Sequence, residues 1–70
     1  MHIGKRIKEI MDAKRVSVIS VANAIACERT NVYNIFERKD ISTSLLSKLS
    51  VILDHDFYAE LSEELKNIKK

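Results

Sequence analysis

The 70-residue sequence has no proline, one glycine and one cysteine, and each scarcity excludes a class of structure. Tight β-hairpins depend on glycine and Asn-Gly turns, so the near absence of glycine argues against a β-sheet protein. Cys27 is the single thiol, which forms no intramolecular disulfide and is typical of a reducing compartment. We therefore expect a cytoplasmic protein whose stability comes from helix packing.

Further absences limit the functions open to this chain. The Cys and His residues (Cys27, His2 and His55) are far apart in the sequence, so we expect no metal site and no cofactor. No apolar run approaches the ~20 residues of a membrane span, and no signal-peptide pattern is present, so we expect no membrane contact. Because no Ser/His/Asp or Cys/His arrangement and no glycine-rich phosphate loop is present, we do not expect an enzyme.

The length indicates a single domain, residues 1–70, with a small core. The net charge of +2 is unevenly distributed over that length. Residues 1–40 carry a charge of +3 and residues 41–70 a charge of −1, and the basic excess is strongest from Lys5 to Arg15. This pattern is typical of a nucleic-acid surface followed by a packing or dimer element, although an ordinary solvated charge pattern explains it equally well.

Apolar residues recur at helical spacing along most of the chain, which predicts an all-α fold of four to five helices. Ser17 and Ser42 are the predicted N-caps of the second and fourth helices. The alternating segment 16–21 favours a strand locally, but a lone strand has no partner, so we expect a helix. The segment 54–56 is interpreted as a break between two helices that caps the fifth helix. Both histidines are expected to face solvent. The predicted inward positions are Ile3, Ile7, Ile10 and Met11; Val21, Ala22 and Ile25; Val32, Ile35 and Phe36; Leu45, Leu46, Leu49, Ile52 and Leu53; and Phe57, Tyr58, Leu61, Leu65 and Ile68.

The most informative stretch is residues 18–37, which predicts a helix-turn-helix as helices 2 and 3. Two short helices that cross closely need a small residue at the crossing, and Ala22 supplies it. Cys27 is the apolar residue of the predicted turn. The predicted motif core is Val21, Ala22, Ile25, Cys27, Val32, Ile35 and Phe36.

This spacing resembles the Xre/Cro family of phage-repressor-like helix-turn-helix regulators, and the resemblance extends over most of the chain. The run Val-Tyr-Asn-Ile-Phe, followed later by Leu-Asp-His-Asp-Phe, is similar to small regulators of this family from the Bacteroidetes. Three positions depart from the family pattern. Ala26 stands where the turn usually has glycine, Val18 where glutamine often reaches a phosphate, and Glu28 where serine or threonine often caps the recognition helix. Ala26 predicts either a strained turn or a turn of different shape.

The resemblance implies that a helix of about residues 29–36 enters the major groove of double-stranded DNA. Arginine pairs with guanine and asparagine with adenine through two hydrogen bonds each, while Thr30 suits a thymine methyl and Tyr33 a phosphate or sugar. We expect base contacts from Arg29, Thr30, Asn31, Tyr33 and Asn34. We expect phosphate contacts from Lys14, Arg15, Ser17, Ser20, Arg38, Lys39, Thr43 and Ser44.

Two functional hypotheses follow from these patterns. The first is a sequence-specific transcriptional regulator that acts as a homodimer on a near-palindromic operator. The outer turns of a C-terminal helix, about residues 56–68, are the expected dimer surface. The second is an antitoxin-like or anti-repressor-like protein-interaction module that keeps the fold without strong DNA binding and uses the same helix to bind another protein. Glu28 and Glu37, close to the recognition surface, favour the second hypothesis.

Overall fold

Five α-helices joined by loops of three to six residues make up the computed structural model, which describes residues 1–69 and the side chains of residues 1–68. They are α1 (Ile3–Lys14), α2 (Val18–Ala24), α3 (Arg29–Phe36), α4 (Thr43–Leu53) and α5 (Phe57–Lys69). The described residues contain no strand, and the alternating segment 16–21 leads into α2. The prediction of an all-α protein is confirmed.

Polar side chains cap the N-termini of four of the five helices. The Ser17 Oγ accepts a hydrogen bond from the Ser20 N–H at 3.1 Å, and the Ser42 Oγ accepts one from the Leu45 N–H at 3.2 Å. Asp56 caps α5 in the same way through the Ala59 N–H at 3.0 Å. Both predicted serine caps and the predicted helix break at residues 54–56 are therefore confirmed.

Both histidines, expected to face solvent, are only partly exposed, and each makes a hydrogen bond. The His2 Nδ1 accepts a hydrogen bond from the Lys5 N–H and caps α1. His55 hydrogen-bonds Glu60, and its ring lies edge-on to that of Phe57 at a centroid distance of 4.7 Å. An imidazole supplies both an acceptor for a helix cap and an apolar edge for packing, and the sequence pattern carries neither signal.

Three helices end in the same turn without a glycine. Arg15, Ala26 and Asp54 have φ values of 57°, 55° and 48°, in the left-handed region. In each case the next N–H bonds the carbonyl five residues back: Val16 to Met11 at 2.9 Å, Cys27 to Ala22 at 2.9 Å, and His55 to Ser50 at 3.0 Å. This is the Schellman arrangement, which satisfies carbonyl groups left open at a helix end.

The core is formed from all five helices. The buried apolar residues are Ile3, Ile7, Ile10, Met11, Val21, Ala22, Val32, Ile35, Leu46, Leu49, Leu53 and Phe57. The predicted stripe of α1 is thus fully confirmed. The α5 stripe is confirmed at Phe57, which is buried, and at Leu61, which packs on the core. It is wrong at Tyr58, Leu65 and Ile68, which are 40%, 51% and 74% exposed.

Side-chain hydrogen bonds hold the first half of α5 against α1 and α4. The Tyr58 hydroxyl donates to the Thr43 carbonyl at 2.8 Å, and the Arg6 Nε donates to the Glu60 Oε1 at 2.6 Å. Partial burial would raise the pKa of Glu60, but hydrogen bonds from Arg6 and His55 outweigh it and lower that pKa below its ordinary value. Within the part of the chain that the structure describes, no helix has the length and apolar character needed to cross a membrane.

Gly4 lies where α1 meets the end of α3. A Cβ atom at this position would stand 2.3 Å from the Ile35 carbonyl oxygen and 2.5 Å from that of Phe36, too close for any side chain. At the same place the Ile3 N–H donates to the Lys39 carbonyl at 3.1 Å, and the Gly4 N–H donates to the Arg38 carbonyl at 2.9 Å. The single glycine therefore permits backbone contact between the two helices.

Gly4→Ala is expected to destabilise the fold by about 3 kcal/mol, because the added methyl group forces α1 away from α3. This expected loss of stability is opposite in sign to the effect of helix propensity, which favours alanine over glycine by ~1 kcal/mol. Thermal unfolding followed by circular dichroism measures the loss. Lys5→Ala, at the exposed neighbouring position, is the control and should stay within about 0.5 kcal/mol. A Gly4→Ala protein as stable as the unmodified chain would contradict the close approach.

Candidate nucleic-acid interface

The α2–α3 pair is held together by small and branched apolar side chains. Val21 and Ala22 of α2 and Val32 and Ile35 of α3 are buried between the helices and the rest of the core. The other three predicted motif-core residues, Ile25, Cys27 and Phe36, are partly buried and pack against this cluster. The packing fixes which face of α3 points inward and therefore which face is left accessible.

The turn between α2 and α3 occupies residues 25–28. Ala26 adopts the left-handed conformation, so the turn has the shape that glycine favours and alanine holds it at a cost of roughly 1 kcal/mol. Of the two alternatives expected from the sequence, the structure has the strained turn. Glu28 is the N-cap residue of α3, and its side chain makes no capping hydrogen bond.

The accessible face of α3 carries all five residues predicted to contact bases. Arg29, Thr30, Asn31, Tyr33 and Asn34 are exposed, and none of their side chains makes a hydrogen bond or ion pair with the described residues. The Tyr33 ring is steadied by an edge-on contact with Phe36 at a centroid distance of 6.1 Å. The face therefore presents one guanidinium, two amides and two hydroxyls with their hydrogen-bonding capacity unused.

Surface grooves run along both sides of α3. The groove toward α2, named here the α2-side groove, is lined by Ile19, Asn23, Arg29 and Thr30 among others. The groove toward α4, the α4-side groove, has exposed polar lining from Asn31, Asn34, Glu37, Arg38 and Lys48 and apolar lining from Ile25, Cys27, Ile35 and Leu45. Four of the five predicted base-contact residues are therefore divided between the two grooves, and Tyr33 lines neither. Asn23 and Lys48 are additional polar lining residues that the sequence pattern did not single out.

The residues predicted to contact phosphates have different surroundings. The Ser17 hydroxyl is engaged in capping and donates to the Ser20 Oγ at 2.9 Å, which leaves the Ser20 hydroxyl hydrogen available. The Lys14 Nζ donates to the Asp54 carbonyl at 2.9 Å and so closes the C-terminus of α4. The remaining predicted phosphate contacts are exposed: Arg15, Arg38, Lys39, Thr43 and Ser44.

The cations of α1 and those beside α3 differ in their pairing. Arg6 binds Glu60 and Glu9, and the Lys8 Nζ lies 3.3 Å from an Asp12 carboxylate oxygen. Two of the five cations between Lys5 and Arg15 are therefore paired with carboxylates within the fold. Lys5, Lys14 and Arg15 have no carboxylate partner among the described residues. The same holds for the cations in or beside α3, which are Arg29, Arg38, Lys39 and Lys48.

Among the described residues, no group of three or more His, Cys, Asp or Glu side chains is arranged to hold a metal ion. Comparisons of the chain with protein-family models, curated proteins and solved structures found no match.

Ala26→Gly is expected to stabilise the protein by roughly 0.5–1 kcal/mol, because glycine adopts the left-handed conformation without the Cβ clash. For a domain of this size, that corresponds to a rise in Tm of several degrees, ~4–8 °C per kcal/mol. Ala24→Gly, at the exposed end of α2, is the matched control and should lower Tm by removing a good helix former. A fall in Tm for both variants would contradict the strained turn.

Proposed function

We propose that this chain is a sequence-specific DNA-binding transcriptional regulator of the Xre/Cro, phage-repressor-like type. In this proposal α2 and α3 form the helix-turn-helix, and α3 enters the major groove. One observation carries the proposal: α3 exposes a continuous set of unengaged guanidinium, amide and hydroxyl groups while its opposite face is fixed in the core. The family resemblance of residues 18–37 supports the same reading.

The chemistry of this surface suits base edges. Arg29 offers two parallel donors to guanine O6 and N7. Asn34 offers an amide N–H donor to adenine N7 and a carbonyl acceptor to the adenine N6–H group. An α-helix with its side chains is ~10–12 Å in diameter, and the major groove is ~12 Å wide, so α3 fits within it. Arg29 and Asn34 line different grooves beside α3, so the two are proposed to read different base pairs.

Backbone contacts in this proposal come from exposed groups around α3. Arg38 and Lys39 follow α3 directly, and Thr43 and Ser44 open α4, where the positive end of the helix dipole favours a phosphate. Ser20 retains a hydroxyl donor near the start of α2. Lys14 is a weaker candidate than its sequence position suggests, because a phosphate would compete with the Asp54 carbonyl for its ammonium group.

We further propose that the regulator binds DNA as a homodimer through the far end of α5. Leu65 and Ile68 are exposed there, and two apolar side chains three residues apart form one stripe of a helix. Pairing of this stripe with its copy would remove both side chains from water. Two recognition helices on such a dimer would meet half-sites about one helical turn apart, ~34 Å.

A protein-interaction module of the antitoxin or anti-repressor kind is the second candidate. It is favoured by Glu28 and Glu37, whose exposed carboxylates border the grooves beside α3 and would repel a phosphate backbone. In that role α5 would place its exposed apolar stripe in a groove of another protein. DNA titration separates the two candidates, because the second requires no selectable DNA sequence.

Arg29→Ala and Asn34→Ala are each expected to weaken binding to a selected DNA duplex by ~1–3 kcal/mol and to relax sequence preference. Selection from a random duplex pool, followed by fluorescence-anisotropy titration, measures both effects. Asn67→Ala, an exposed asparagine on α5, is the matched control and should leave the affinity unchanged. Unchanged affinity in both α3 variants would exclude them as base readers, and failure to select any sequence would favour the protein-interaction module.

Leu65→Glu and Ile68→Glu are each expected to raise the dimer dissociation constant about tenfold or more, because a buried charge without a partner opposes association. Sedimentation velocity over a range of protein concentrations measures this constant. Val51→Glu, on α4 at 81% exposure, is the control and should leave the dimer intact. Dissociation by Val51→Glu alone would indicate that the interface lies on α4. A protein that stays monomeric at every concentration would contradict the dimer.

A further inference from the structure

The α4-side groove contains a cation that the sequence analysis did not assign to any role. Lys48 lies near the middle of α4, is exposed, and has no carboxylate partner among the described residues. It lines the groove opposite α3, together with Asn31, Asn34 and Arg38. An exposed lysine with its ammonium unengaged beside amide and guanidinium donors makes this groove attractive to an anion.

The lining of the groove also has an apolar part. Ile25 and Leu45 are partly buried there, and Ile35 is buried behind them. A DNA strand has matching chemistry, since its phosphates carry charge and its deoxyribose rings present carbon and hydrogen. A groove that combines unpaired cations with apolar side chains therefore suits a sugar–phosphate backbone better than a free inorganic anion.

We propose that Lys48 binds a backbone phosphate of the DNA strand that lies along the α4 side of α3. This inference rests on the proposed function and assigns a position to one strand of the duplex. Lys48 is five residues along α4 from Thr43, which is ~7.5 Å along the helix axis. The contact at Lys48 is thus separate from the one expected at the N-terminus of α4.

Glu37 limits the strength of this contact. Its carboxylate lines the same groove, and no cation pairs with it among the described residues. A carboxylate beside a phosphate site reduces the local positive potential. Glu37→Gln is therefore expected to strengthen binding in the groove, opposite in sign to the loss of Lys48.

The test is a salt titration of DNA binding by the full chain and by Lys48→Gln. Loss of one phosphate contact lowers the magnitude of the slope of log K against log salt by about 0.9. Between ~50 and ~200 mM salt, the affinity of Lys48→Gln should therefore fall by a factor about 3.5-fold smaller than the affinity of the unmodified chain. The change should be equal on selected and unselected duplexes, because a phosphate carries no sequence information. Lys66→Gln, an exposed lysine on α5 that pairs with Glu63, removes the same charge and should leave the slope unchanged.

Three results would overturn the assignment. An unchanged slope in Lys48→Gln with DNA binding intact would reject the role of Lys48 while leaving the proposed function in place. An equal fall in slope for Lys66→Gln would show a general charge effect instead of a contact in the groove. Absence of DNA binding by the unmodified chain at low salt would reject the proposed function and the Lys48 contact together. Circular dichroism of each variant checks that the fold is retained.

Discussion

The backbone contact between α1 and the end of α3 is the constraint on which the accessible surface depends. Gly4 has no side chain, so the first turn of α1 reaches the Ile35 and Phe36 carbonyl groups. Two N–H groups at the start of α1, which have no partner within the helix, bond the carbonyls of Arg38 and Lys39. These bonds fix the chain where it leaves α3. The side chains of Arg38 and Lys39 remain exposed, so the fixed backbone places two unpaired cations beside α3.

Helix ends without glycine are a second consequence of the composition. Arg15, Ala26 and Asp54 hold the left-handed conformation that glycine adopts at no steric cost. In each turn, the next residue offsets the steric cost, because its N–H bonds the carbonyl five residues back and its side chain is partly buried. The Ala26 turn has the greatest consequence for function, because it sets the position of α3 relative to α2. The left-handed conformation of Ala26 strains this four-residue turn by roughly 1 kcal/mol.

The distribution of paired charges separates structural cations from available ones. Arg6 and Lys8 on α1 are held by carboxylates, and Lys14 closes the C-terminus of α4. The cations beside α3 lack such partners among the described residues, so their charge is open to a ligand. The net charge of +2 does not show this difference in pairing, because it sums paired and unpaired cations alike. The proposed roles in DNA binding follow from this division more than from total charge.

Periodicity and local chemistry in the sequence determined the five helices, the two serine caps, the inward stripe of α1 and the exposed face of α3. These features depend on spacing of 3.6 residues and on neighbours within a few positions. Tertiary structure alone decided that Arg6 pairs with Glu60, because the two residues are separated by 54 positions. It also decided that Lys48 lies beside α3, that Gly4 is a packing residue, and that α5 is covered only over its first half. A sequence pattern gives the face of a helix but not its neighbour, since the neighbour is set by how several helices fill one core.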